Sequence, residues 1–133
     1  MTSYIDLLKA KQLTVTPQRL EIVNILSSHG HLNIDELYKL LLTSFPSISL
    51  ATVYKNINKM LEKLFLSEVQ VPNKKNVYEL IKEEHAHVVC SACGAILDID
   101  LDTSLLVKEA QNKSSFILDA KSIVLSGACK KCQ

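Results

Sequence analysis

SLATVYKNINKMLEKLFLSEVQVPNKKNVYEL, residues 49–80, carries two periodicities in one run. Up to Leu64, the apolar residues Val53, Ile57, Met60, Leu61 and Leu64 recur at helical spacing and predict a single buried face, with Ser49 opening the helix. From Phe65 onward the pattern changes. LSEVQV and NVYEL are short β-type segments, and the polar residues of PNKK between them predict a hairpin turn. A helix feeding directly into a two-stranded ribbon is the end of a winged helix-turn-helix.

The upstream sequence supplies the remaining helices. Residues 3–12 read as a short amphipathic helix around Tyr4, Leu7 and Leu8. Thr16-Pro17 is a helix start, with Thr as N-cap and Pro at the first helical position. Leu20, Val23, Ile25 and Leu26 give this second helix its apolar stripe, and Gly30 stops it. Asn33 followed by Glu36 makes an Asn version of the capping box, opening a third helix through Leu37, Leu40 and Leu41 that ends near Phe45-Pro46.

Downstream, the polar IKEE reads as a hinge over 81–84. HVVC and AILDID read as strands, DTSLLVKEAQNK as a helix and KSIVLSGA as a further strand. The expected class is therefore α+β: a winged helix-turn-helix domain over 1–80, then a small α/β domain over 85–133. Composition agrees with a packed protein, at 47% apolar and 22% charged residues. No apolar run is long enough to predict a membrane span, and MTSYIDLLKAKQ lacks the pattern of a signal peptide. The expected location is the cytoplasm, where thiols stay reduced. The formal net charge is +1, but it is unevenly spread. Residues 1–76 hold nine Lys/Arg against six Asp/Glu, and residues 77–133 hold six against eight. The basic excess of the first half suits a nucleic-acid partner.

All four cysteines fall in two knuckles, Cys90-x-x-Cys93 and Cys129-x-x-Cys132. Two residues between thiolates let both sulfurs reach one ion, and two such pairs complete a tetrahedron around Zn2+. The 35 residues between the pairs exceed the common zinc-ribbon spacing, so the ion would tie the last strand back to the first hairpin of the domain. Disulfides, a redox dithiol and an iron-thiolate centre are the alternatives. The absence of a signal peptide argues against the first, and the lack of a thioredoxin-like setting against the second.

HAHVVCSACG, residues 85–94, also holds two of the four histidines. His85 and His87 face the same side of a strand. Asp98 on the next strand and Glu79 at the end of the wing add carboxylates, with Glu83 and Glu84 close in sequence. Such mixed ligands suit Fe2+, Mn2+ or Zn2+. His31 would join the first domain to that ion, although a lone histidine at a helix end is commonly a surface residue.

With these pieces assembled, the chain resembles the ferric uptake regulator (Fur) family, and within it the peroxide-responsive (PerR) branch. The matching stretches are TPQRLEIVNIL, GHLNIDELY, PSISLATVYKNIN, VYEL, HAHVVCSACGAILDID and GACKKC. The resemblance implies a homodimeric, metal-dependent transcriptional repressor whose second domain dimerises. It assigns Cys90, Cys93, Cys129 and Cys132 to a structural zinc. It assigns His31, Glu79, His85, His87 and Asp98 to a regulatory iron or manganese, with His31 and His85 as the imidazoles oxidised by hydrogen peroxide. It also places the helix from Ser49 in the major groove of palindromic, A/T-rich operator DNA. Tyr54, Lys55, Asn58 and Lys59 would lie on its outer face, with Lys63 one turn on and Arg19 on a phosphate; a solvated helix face is the alternative.

The branch rests on few residues. Ala86 and Lys121 stand where iron sensors usually carry ligands of a further site, and Asp98 is the residue type of peroxide sensors. Glu79 departs from them, since a typical peroxide sensor has Asp there. A reversible Fe2+ sensor is therefore the alternative. No enzyme is expected: a zinc deaminase needs H-x-E with P-C-x-x-C, and four thiolates leave water no open position on the zinc. A metal-independent DNA-binding module with a structural zinc is the third reading.

Overall fold

The computed structural model of the chain describes residues 3–81, 86–118 and 123–133. His85, hinge residues 82–84 and Lys121 lie outside the described residues. The chain divides into two compact units, Met1–Gln70 with Lys75–Ile81 and Val71–Lys74 with Lys82–Gln133.

In the first unit, three of the four helix starts are those the sequence announced. α1 (Tyr4–Ala10) begins where the Ser3 hydroxyl accepts from the Asp6 N–H. Thr16 Oγ1 accepts from the Arg19 N–H at 3.2 Å to start α2 (Pro17–His29). Gly30, at φ +81, turns the chain out of α2 into a conformation that favours glycine. β1 (Leu32–Asn33) follows, a two-residue strand too short to show any alternation in sequence. Both halves of the Asn33/Glu36 capping box form at α3 (Ile34–Ser44), and Ser49 Oγ accepts from the Thr52 N–H at α4 (Leu50–Glu62).

α4 buries Val53, Ile57 and Met60 completely. Leu61 is only half-buried, and Leu64 is not part of this face at all. The helix ends at Glu62, Leu64 takes a left-handed φ of +59, and its side chain is 54% exposed. The break lets the chain reverse into β2 (Leu66–Val69), which pairs antiparallel with β3 (Val77–Leu80). β1 pairs antiparallel with the other edge of β3, giving the order β1-β3-β2. Leu8, Ile22, Leu26, Leu37, Leu41 and Ile57 anchor one core at 0–1% exposure. Each such side chain contributes about 1.5–3 kcal/mol through burial.

The second unit is built differently. β4 (Ala86–Cys90) is central, antiparallel to β5 (Ile96–Ile99) and parallel to β6 (Val124–Gly127). A parallel neighbour requires a long connection, and the segment containing α5 (Ser104–Ser114) supplies it. Asp102, expected inside this helix, lies before it instead. Its Oδ1 accepts from the Ser104 hydroxyl at 2.7 Å and the Ser104 N–H at 3.1 Å, which holds its carboxyl below the usual range. α5 buries none of its residues. Leu97, Leu105, Leu106, Phe116 and Ile117 are all more than half exposed. Among the described residues, no helix is long and apolar enough to cross a membrane.

Candidate functional site

The β4–β6 register creates the thiolate cluster. Cys90 closes β4 and pairs with Gly127 of β6, so the turn after β4 lies beside the turn after β6. Ser91 N–H donates to Gly127 O at 2.8 Å and locks the two turns together. Cys129 then leads into a single 3-10 turn, Lys130–Cys132, which brings up the last thiol. Gly94 makes the first turn possible at φ +79. The positive φ is what favours glycine, since the atoms nearest an added Cβ belong to the flexible end of Lys74, which can move aside.

All four cysteines are free thiols, and their sulfurs lie within 4.8 Å of one another. Cys93 Sγ and Cys129 Sγ are 3.8 Å apart, too far for a disulfide. A tetrahedron with Zn–S arms of about 2.3 Å has edges of about 3.8 Å, so the spacing fits one thiophilic ion. Backbone N–H groups of Cys129 and Cys93, each 3.4 Å from Cys90 Sγ, hold that thiol down to about 5. Cys132 is pushed up to about 12 by hydrogen bonding to the sulfurs of Cys129, Cys90 and Cys93. Four sulfurs this close would all ionise only with a cation among them.

Each unit also carries a histidine–carboxylate pair. In the first unit, His31 sits one residue ahead of β1, and the Leu32–Tyr78 pairing brings it opposite Glu79. His31 Nε2 lies 2.8 Å from Glu79 Oε2. The Glu79 side chain is only 2% exposed, and its Oε1 accepts from Ser67 Oγ at 3.2 Å. Ser67 is the direct cross-strand neighbour of Glu79, a relation set by the β2–β3 register and not visible as a motif. In the second unit, His87 pairs with Asp98 across β4 and β5, with Nε2 3.4 Å from Oδ1. His87 is buried and Asp98 one-third exposed. A carboxylate as enclosed as Glu79 needs hydrogen-bond donors or a cation around it.

α4 presents Tyr54, Lys55, Asn58 and Lys59 outward, and Lys59 Nζ is 3.9 Å from Glu62. Lys63 caps the helix. Arg19 is half-buried: its Nε donates to Asn56 Oδ1 at 3.1 Å and its Nη1 to Thr14 O at 2.9 Å. Asn56 was invisible to the sequence argument, since it lies on neither the apolar stripe nor the lysine stripe of α4.

A helix exposed beside a β wing is suited to a nucleic-acid groove, and a thiolate cluster in the same chain makes such a protein a metal-binding transcription regulator. The chain belongs to the ferric uptake regulator family, whose model matches residues 10–125. It is 30% identical over 128 residues to the peroxide-responsive repressor PerR of Staphylococcus aureus, covering 95% of this chain and 86% of the repressor. The Campylobacter jejuni peroxide stress regulator is 41% identical in sequence, with a TM-score of 0.75 over 98% of this chain and 100% of that one. The Vibrio cholerae ferric uptake regulator is 31% identical, with a TM-score of 0.77 over 96% and 100% of the two chains. The chain is thus a metal-responsive regulator close to the peroxide-responsive repressors, from a family of regulators and not of enzymes.

Proposed function

We propose that the chain is a dimeric transcriptional repressor that binds palindromic A/T-rich operators when metal-loaded and senses hydrogen peroxide by oxidation of its own ligand histidines. Zn2+ occupies the Cys90, Cys93, Cys129 and Cys132 cluster and holds the second unit together. His31, Glu79, His85, His87 and Asp98 bind the regulatory Fe2+ or Mn2+. The observation that carries this reading is the enclosed His31–Glu79 pair, which offers nitrogen and oxygen donors and no sulfur. Nitrogen and carboxylate donors suit Fe2+ and Mn2+. The exposed apolar residues of α5 and β5 support dimerisation through the second unit.

The metal acts by differential affinity. Histidines and carboxylates from both units favour the arrangement in which two reading helices meet successive major grooves. An Fe2+ held by His31, Glu79, His85, His87 and Asp98 would supply the redox chemistry that activates hydrogen peroxide beside the ligand imidazoles. Overall, peroxide delivers one oxygen atom to an imidazole C–H of His31 or His85 and leaves as water. The oxidised ring is a poor ligand, and the operator is released. Mn2+ supports repression without this chemistry.

The test is peptide mapping by mass spectrometry. The zinc-containing protein is loaded anaerobically with Fe2+ and treated with hydrogen peroxide beside a Mn2+-loaded control. One added oxygen on the His31 or His85 peptide, with iron only, is expected. Unmodified histidines despite bound iron would move the assignment to a reversible Fe2+ sensor controlling iron uptake. Glu79 favours that second reading, because it replaces the Asp expected of a peroxide sensor.

A further inference from the structure

We propose that Asn56 is a positioning residue for DNA binding, holding the Arg19 guanidinium so that the first turn of α2 and the reading helix α4 engage the duplex as one rigid element. The inference rests on the DNA-binding reading above and adds a residue to it.

The hydrogen bonds are specific. Asn56 Nδ2 donates to Thr52 O, one turn back along α4, at 3.0 Å. That bond orients the amide and turns Oδ1 toward Arg19, whose Nε donates to it at 3.1 Å. Arg19 Nη1 donates to Thr14 O at 2.9 Å, which fixes the other side of the fork. Arg19 is anchored at its own backbone too, because its N–H caps onto Thr16 Oγ1. A guanidinium has five N–H groups. Two are used within the protein, and among the described residues Arg19 makes no further side-chain hydrogen bond, leaving three N–H groups for a phosphate.

A free arginine loses much rotamer entropy when it grips a phosphate. Here that loss is incurred in folding, so binding is preorganised. Asn56 belongs to the same helix as Tyr54, Lys55, Asn58 and Lys59. Its bond therefore sets the distance between the backbone-gripping cation and the groove-facing side chains. Asn56 faces Arg19 and the Thr52 carbonyl, and need not touch DNA itself.

The test is a double-mutant cycle on the full-length, zinc-containing, Mn2+-loaded protein. The probe is an A/T-rich duplex selected from random sequence by the wild-type protein, and binding is read by fluorescence anisotropy across salt concentrations. Arg19→Ala is expected to weaken binding about tenfold and lower the salt slope by about one. Asn56→Ala should weaken binding in the wild-type background and have no further effect in Arg19→Ala. Additive losses would overturn the proposal, as would unchanged affinity in Asn56→Ala. Asn56→Asp guards against misfolding: its carboxylate keeps an acceptor for Arg19 while neutralising the cation. It loses the bond to Thr52 O, so its melting temperature can fall, but it should still lower the salt slope by about one. A lower melting temperature with an unchanged slope would make Asn56 merely structural. If the wild-type protein selects no duplex, the DNA-binding reading falls with it. If it does and Arg19→Ala binds normally, only the present proposal falls.

Discussion

His31 and Glu79 meet nitrogen to oxygen at 2.8 Å in the first unit, on a carboxylate that is almost entirely buried and further held by Ser67. Glu79→Gln keeps the shape and the Ser67 hydrogen bond but removes the charge. Mn2+ affinity, measured by competition titration, should fall about 10- to 100-fold, while zinc content stays the same. If Glu79 and His31 form only a structural ion pair, the melting temperature would drop and Mn2+ affinity would not.

The thiolate cluster predicts a different loss. Cys129→Ser removes a sulfur 3.8 Å from Cys93 Sγ and leaves the backbone N–H that faces Cys90 Sγ in place. Zinc content should collapse, and the second unit, whose strands bury few residues, should lose its cooperative melting. Retention of one zinc per chain with unchanged melting would take Cys129 out of the cluster.

The first unit should be sensitive at its caps and core by different amounts. Asn33→Ala removes the acceptor for the Glu36 N–H and should cost about 1 kcal/mol. Leu37→Ala, at a fully buried position, should cost about 2–5 kcal/mol. Denaturant titrations of the two variants should preserve this order, and a Leu37 loss as small as that of the cap would contradict the packing described.

Tyr78 gives a pH prediction. Burial, and then the charges of Glu68 and Tyr54, push its phenol above the ordinary value of 10.0. The fold therefore favours the neutral phenol. The stability this contributes is complete below the ordinary value and is lost as pH rises through the raised one. In an alkaline titration followed by phenolate absorbance, one of the four tyrosines should ionise last. Tyr78→Phe should delete that late phase and reduce the alkaline loss of stability.

The legible parts of the molecule were those where one local rule decides the outcome. Thr16-Pro17, Asn33 with Glu36 and Ser49 each mark a helix start because a side-chain oxygen next to exposed N–H groups has few other partners. The two Cys-x-x-Cys knuckles were readable because a fixed two-residue spacing lets both sulfurs of a turn reach one ion. Relations set by strand register or backbone reversal were not. β1 is too short to show a period, and Leu64 looked like one more helical apolar residue until the left-handed turn took it outward. Ser67 and Asn56 gain their roles only when a second element lands beside them. α5 has helical apolar residues but no cover within its own unit, and sequence periodicity cannot distinguish a core-facing stripe from one awaiting a partner.

The parallel pairing of β4 with β6 has a consequence for synthesis on the ribosome. Cys90 and Cys93 emerge well before Cys129 and Cys132, so a nascent chain offers an ion only half its ligands while α5 is being made. The second unit cannot be sealed until Cys132 has cleared the exit tunnel. A chain stopped short of Cys129 would lack two of the four ligands of the cluster that closes its unit.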